Sequence, residues 1–265
     1  IKAKNNLIKI LQEYESVAVA FSGGVDSTFL LAISKQVFKK NVIAVTSVSP
    51  IHSSREQEFA INMAKQHGIE QILVHLKETK NLDFMENRIN RCYICKRLLF
   101  EKIKEIASSM NIACIVHGEN VDDLSDFRPG FAAAQEMGIK APLIDAGLDK
   151  AQIRILSKEM KLSTWNKPQS ACLASRIPCG TVISLENLKM VEQAENMLAD
   201  LEIPAYRVRY HGKLAKIEID PDNFDLIFKR NNRLKIVKEF KKIGFVHIAL
   251  DIEGCVKWRI NSFPS

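Results

Sequence analysis

The run Val17-Ala18-Val19-Ala20-Phe21-Ser22-Gly23-Gly24-Val25-Asp26-Ser27-Thr28 sets two glycines, three hydroxyls and a carboxylate directly after an apolar stretch. Gly23 and Gly24 let the backbone pass close to an anion, while Ser22, Ser27 and Thr28 offer hydroxyl donors. The first turn of a following helix aims its unpaired N–H groups at the same point. Such a nest suits a pyrophosphate. An ordinary strand-to-helix turn does not account for Asp26, whose charge would repel that ligand unless a magnesium ion lay between them. The spacing lacks the lysine of a Walker A loop and the three glycines of the dinucleotide fingerprint.

Three further segments carry chemistry. Gly118 to Gly130 is too polar for a core strand. Its Glu119, Asp122, Asp123 and Asp126 are able to fix magnesium or its waters, and Arg128 to face a phosphate or carboxylate. The plainer reading is an Asx-capped loop with Asp126 paired to Arg128. Trp165 to Gly180 carries Cys172 and Arg176, and a guanidinium near a thiol lowers its pKa and orients anions. A packing role for Cys172 fits the sequence equally well. Cys92 and Cys95 form a C-x-x-C pair, compatible with a dithiol couple or with zinc if both cysteine loops converge.

The elements that must position these residues follow from periodicity. An amphipathic helix is predicted over Asn5–Tyr14, a strand ending at Phe21, and a helix over Asp26–Lys39. A strand over Val42–Val48 precedes a helix capped by Ser53 with Glu56 as its box partner, ending at Gly68. Strands over Ile72–Leu76 and Ile112–His117 flank a helix carrying Cys95 to Met110. This alternation predicts a parallel sheet whose ligands bind beyond the strand carboxyl ends, where Ser22–Ser27, Ser49, His52 and Gly118–Arg128 all project. Beyond an irregular connector, a helix over Ser184–Leu201, strands over Tyr206–Tyr210 and Ala215–Ile219, a helix over Asn223–Lys242 and a strand over Phe245–Leu250 predict a smaller α/β domain. The expected domains are 1–165, a cysteine-bearing connector 166–183, and 184–265.

A chain of 265 residues with 46% apolar content holds one large core or two domains. No apolar run is long enough to cross a bilayer, so the expectation is a cytoplasmic enzyme without membrane partners. The net charge of +7 is concentrated between Arg207 and Lys242. That suits a solvated helix face, a small anionic substrate or nucleic acid. The six cysteines argue against a disulfide scaffold, and Cys114 and Cys255 read as core thiols.

The Ser22–Ser27 segment resembles the signature of the PP-loop ATP pyrophosphatases, which cleave ATP between the α and β phosphates to adenylate a substrate. The resemblance implies an adenine-nucleotide α-hydrolase-like fold, ATP as substrate, and a magnesium ion on Asp26. With the Asp126-Phe127-Arg128-Pro129-Gly130 ending and the Trp165–Gly180 segment, the whole chain resembles the ATP-dependent sacrificial sulfur transferases of nickel-pincer cofactor synthesis. That family implies a small anionic pyridinium nucleotide as substrate and a homo-oligomeric assembly. Cys172 matches its sulfur-donating cysteine. Glu195 and Glu218 match carboxylates that handle metal or substrate, Asp225 a further metal-site carboxylate, and Arg207 and Arg209 residues near the anionic substrate. Strand alternation puts both arginines on one face.

Two versions of the sulfur chemistry follow from this resemblance. In one, Cys172 gives up its own sulfur. In the other, Cys92, Cys95 and Cys172 hold a [4Fe–4S] cluster whose open iron carries a replaceable sulfide. The presence of all three cysteines points to the cluster. Cys179, where the family has Pro-Tyr-Gly, departs from the pattern and fits a spare thiol, a fourth ligand or a sulfur carrier. The rivals are tRNA thiolation, for which no RNA-binding module or aromatic stacking motif stands in the sequence, amination, and a nucleotide-binding scaffold without catalysis.

Overall fold

A computed structural model describes residues 2–125 and 129–255. Asp126 and Arg128 lie outside the described residues. In chain order, α1 (Lys2–Gln12), β1 (Val17–Ala20), α2 (Val25–Phe38), β2 (Val42–Val48), α3 (Ser54–Gln66) and β3 (Glu70–His75) come first. The short α4 (Leu82–Met85) precedes α5 (Arg91–Ser109), β4 (Cys114–His117), α6 (Pro129–Glu136), α7 (Pro142–Asp145) and α8 (Lys150–Glu159). Then come α9 (Leu185–Asp200), β5 (Arg207–His211), β6 (Leu214–Glu218), α10 (Phe224–Phe228), α11 (Arg230–Ile243) and β7 (His247–Leu250). The chain divides into two units: residues 1–78 with 90–170, and residues 79–89 with 171–265.

The first unit is built on a four-stranded sheet in the order β3-β2-β1-β4, with every pair parallel. Alternation along β1 explains why helices cover both faces. Val17 and Val19 enter a core with Leu7, Leu11 and Phe29, while Ala18 turns to the opposite core with Phe100 and Ile103. This is the parallel sheet that the alternation predicts, in the adenine-nucleotide α-hydrolase-like arrangement that the resemblance implies. The strand order reverses direction across β1, so the crevice for a ligand opens between the carboxyl ends of β1 and β4.

The second unit has a three-stranded sheet in the order β5-β6-β7, with an antiparallel hairpin and a parallel third strand. Val208, Ala215 and Ile217 pack on Ile236 and Phe240 of α11 and on Ala194 and Leu198 of α9. Arg207, Arg209, Lys216 and Glu218 occupy the other face, because β5–β6 pairs Arg207 with Glu218 and Arg209 with Lys216. The helix expected over Asn223–Lys242 is broken at Lys229, whose extended backbone (φ −51°, ψ 126°) separates α10 from α11. The basic side chains of α11 are exposed, and only Ile236 and Phe240 of that helix are buried. No helix among the described residues is long and apolar enough to cross a membrane.

Residues 79–89 group with the second unit because Asn87 binds them there. Fully buried, with φ +55°, its amide nitrogen donates to the carbonyls of Ile177 (3.2 Å), Pro178 (2.7 Å) and Thr181 (3.0 Å). The Gly180 N–H returns a bond to the Asn87 carbonyl at 3.0 Å. Asn87→Ala strands those acceptors and puts alanine in a left-handed conformation. It is expected to destabilise the second unit by about 3 kcal/mol, read as a lowered urea midpoint; a midpoint within error of wild type contradicts this role.

Candidate functional site

The phosphate nest forms as its residue types require. Gly23 adopts φ +71°, and a Cβ there would meet the Cα and Cβ of Ala60 at 3.0 Å, so the turn accepts only glycine. The Ser22 and Ser27 hydroxyls lie 3.1 Å apart, the Ser22 N–H donates to Ser27 Oγ at 3.3 Å, and Ser27 Oγ donates to the Gly24 carbonyl at 3.3 Å. The start of α2 stands directly behind them. Across the crevice, Gly118 follows β4 so closely that a Cβ would lie 2.9 Å from the Ser27 backbone nitrogen. Glycine here is a packing requirement of the β1–β4 crevice.

Asp26 sits in the first turn of α2 and is mostly buried. Burial raises its pKa above the usual carboxylate range, an effect that the ion pair to Lys150 partly offsets and that Asp123 reinforces. Lys150 Nζ holds Oδ2, while Oδ1 is buried with no hydrogen-bond partner among the described residues. An orphaned carboxylate oxygen beside a phosphate nest fits magnesium, which prefers hard oxygen ligands.

Lys150 was not singled out from the sequence. It is the first residue of α8, whose start is set by a reciprocal box between Asp149 and Gln152. The Lys150 N–H also donates to Asp122 Oδ2 at 3.0 Å, and the Asn120 N–H to Asp123 Oδ2 at 2.9 Å. The polar segment after β4 is therefore an Asx-type loop that orients α8. Lys167, in the segment that carries Cys172, donates to the Gly23 carbonyl at 3.2 Å and to Glu56 at 2.8 Å, and lies over the Phe59 ring. Its own carbonyl accepts from Arg154 at 2.8 Å.

In the second unit, Cys172 precedes a 3-10 turn over Leu173–Arg176. Its carbonyl accepts from the Ser175 N–H (2.9 Å) and hydroxyl (2.7 Å). Arg176 is buried and forks onto Glu195, with Nε to Oε1 at 2.8 Å and Nη2 to Oε2 at 3.3 Å. Burial alone would draw its pKa down; Glu195, then the charges of Cys172 and Cys255, carry it above the usual value. Glu195 also accepts from the Val208 N–H at 3.0 Å. Arg209 donates to Glu218 at 3.0 Å and to the Ser175 carbonyl at 2.8 Å.

These partners define what each side chain is able to do. Glu195 and Glu218 neutralise buried arginines, Glu218 also meets Lys216 at 3.1 Å, and Asp225 is exposed on α10. Arg207 is half-buried on the same sheet face as Arg209. Among the described residues, no three His, Cys, Asp or Glu side chains group to hold a metal ion. Cys92 (exposed) and Cys95 (half-buried) stand one turn apart at the start of α5 in the first unit, whereas Cys172 and Cys179 belong to the second. Cys114, the first residue of β4, is half-buried and packs against the core of the first unit, whereas Cys255 is half-buried after the end of β7.

Comparison with known proteins agrees with the nest. Residues 1–127 match the PP-loop domain. The chain is 35% identical over 97% of its length to an uncharacterized protein of Synechocystis, covering 96% of it. It is 30% identical over 97% of its length to pyridinium-3,5-bisthiocarboxylic acid mononucleotide synthase of Lactiplantibacillus plantarum, covering 93% of that protein. An uncharacterized Methanocaldococcus jannaschii protein is 32% identical over 96% of this chain and is covered to 95%.

Asp26 gives a test that separates function from fold. Its charge is unfavourable in the folded state, so Asp26→Asn is expected to leave the thermal midpoint unchanged or raised. Magnesium-dependent ATP binding, measured by calorimetry, should weaken about 100-fold. A variant that binds magnesium-ATP like the wild type removes Asp26 from the metal site.

Proposed function

We infer the function from one premise: this chain belongs to the nickel-pincer sulfur-transferase family within the PP-loop ATP pyrophosphatases. It is an ATP-using enzyme that transfers sulfur to pyridinium-3,5-biscarboxylic acid mononucleotide. The observation that supports this reading is the mostly buried Asp26 carboxylate at a glycine turn and helix start, one oxygen of which has no partner among the described residues; this suits a magnesium-bound pyrophosphate.

In the first step, a substrate carboxylate oxygen attacks the α-phosphorus of ATP and pyrophosphate leaves, giving an acyl-adenylate. Magnesium supplies charge neutralisation of the phosphates when bound. The nest N–H groups and the Ser22 and Ser27 hydroxyls hold the departing pyrophosphate, while Lys150 and Lys167 add positive charge at the same rim. The Arg207–Arg209 face of the second sheet suits the substrate's anionic groups. In the second step, sulfur at the Cys172 position attacks the activated carbonyl and AMP leaves. Repetition on the second carboxylate gives the bisthiocarboxylate.

For the sulfur, the cysteine pattern supports a [4Fe–4S] centre on Cys92, Cys95 and Cys172, which when bound supplies an exchangeable sulfide. A second reading has its own observation. Cys172 stands beside Arg176 within one unit, an arrangement that needs nothing from Cys92 or Cys95. There, Cys172 Sγ takes the acyl group from AMP as a thioester; a base then removes the Cα proton, the Cβ–Sγ bond breaks, and the thiocarboxylate leaves with the sulfur, so dehydroalanine remains.

Iron and acid-labile sulfide analysis after anaerobic purification, with peptide mapping after a turnover, distinguishes the two. The cluster reading expects stoichiometric iron, an intact Cys172 peptide, and loss of both iron and thiocarboxylate product in Cys92→Ala. An iron-free protein whose Cys172 peptide loses the mass of hydrogen sulfide as product forms establishes sacrifice. Undiminished product from Cys172→Ala overturns both.

A further inference from the structure

Lys167 is fastened to the phosphate nest from three sides, with only 15% of its side chain exposed. Its Nζ lies 3.2 Å from the Gly23 carbonyl, 2.8 Å from Glu56 Oε2 and 3.6 Å from the centroid of the Phe59 ring. Glu56, Phe59 and Ala60 share one face of α3, at spacings i, i+3 and i+4. Ala60 is also the residue against which Gly23 packs. One helix face therefore walls the nest turn and supplies two of the three contacts of Lys167. The backbone behind this side chain is held as well. The Lys167 N–H donates to the Thr164 carbonyl at 3.0 Å, and Arg154 donates to the carbonyls of Trp165 at 2.9 Å and Lys167 at 2.8 Å.

The chain changes character directly after Lys167. Pro168, Gln169 and Ser170 are exposed and make no hydrogen bond among the described residues. The next bonds belong to the cysteine turn, where the Ala171 carbonyl accepts from Arg176 and the Cys172 carbonyl from Ser175. Lys167 is thus the last fastened residue of the first unit before Cys172. The fastening is of a kind that a ligand alters. Glu56 is 34% exposed, so its pair with Lys167 is weak. A phosphate in the nest beside Gly23 offers the same ammonium a more highly charged partner, and charge-assisted bonds to phosphate are strong.

We propose that Lys167 is a positioning residue that couples occupancy of the nest to the fastening of the segment leading to Cys172. The proposal rests on the reading of the Ser22–Ser27 turn as a pyrophosphate site. A polyphosphate in the nest binds the Lys167 ammonium and holds residues 165–170 firmly. When pyrophosphate leaves, the Gly23 carbonyl, the exposed Glu56 pair and the Phe59 ring are what keep the side chain in place, and the segment loosens. The coupling gives the two half-reactions an order: the segment is held during adenylation and released before the sulfur step. Linkage makes the effect reciprocal, so whatever pyrophosphate adds to the fastening, the fastening adds to pyrophosphate affinity.

Amide hydrogen exchange of the full chain, with and without magnesium pyrophosphate at a concentration that calorimetry shows to be saturating, tests this. Bound pyrophosphate is expected to slow exchange of the peptide spanning residues 165–171 about 10-fold in the wild type. Lys167→Met keeps an apolar stem on Phe59 but carries no charge. It should bind pyrophosphate about 10-fold more weakly. At saturation the exchange of its 165–171 peptide should not respond, while the amides of β1 and β2 stay protected as in the wild type. Lys167→Arg should restore the slowing. Wild-type exchange that bound pyrophosphate leaves unchanged or accelerates overturns the coupling but not the nest, and so does equal slowing in Lys167→Met. A wild-type chain that fails to bind magnesium pyrophosphate overturns both.

Discussion

A carboxylate held at the positive end of a helix, beside a turn shaped for phosphate, is the constraint around which the first unit is arranged. Asp26 is costly to bury, and the fold offsets part of that cost with Lys150, while Oδ1 has no hydrogen-bond partner among the described residues. Everything nearby is fitted to that arrangement. Gly23 and Gly118 admit the close approach of α3 and α2, and the Asx loop after β4 sets the start of α8 so that Lys150 reaches Asp26. Lys150 meets part of the Asp26 charge. A site kept partly unsatisfied in this way is poised to bind.

The second unit solves a different electrostatic problem. Two arginines are buried there, each matched to a carboxylate, and both also bond to the segment carrying Cys172. Buried pairs of this kind add little stability over apolar packing, but they orient what they touch. Arg176 and Arg209 bond to backbone and hydroxyl oxygens of residues 171–175, so charge adds to the burial of Leu173, Ala174 and Ile177 in positioning the cysteine loop. Glu195 and Glu218, matched to metal or substrate handling by resemblance, are engaged here with cations. In the described residues, their visible work is to hold arginines.

What the sequence discloses depends on how local its cause is. The nest is legible because its glycines, hydroxyls and helix start are contiguous, and the Ser53 cap is legible for the same reason: Ser53 Oγ accepts from the Glu56 N–H at 3.3 Å. Parallel-sheet topology follows from alternation of short apolar runs with helices. Lys150 was missed although Asp149 and Gln152 spell a capping box, because its partner lies 124 residues away. The arginine partners of Glu195 and Glu218 are equally non-local. The break at Lys229 carries no glycine or proline to announce it. Cys255 reads as a core thiol, whereas it is half-buried where its N–H donates to the Ile219 carbonyl at 3.0 Å.

Coupling between the phosphate nest and a carboxylate substrate is the centre of this account, and isotope exchange between pyrophosphate and ATP measures it most directly. Exchange of labelled pyrophosphate into ATP should require magnesium and pyridinium-3,5-biscarboxylic acid mononucleotide, and should proceed before any sulfur is transferred. Exchange that is indifferent to the pyridinium nucleotide, or ATP cleavage to ADP and phosphate in its presence, contradicts it.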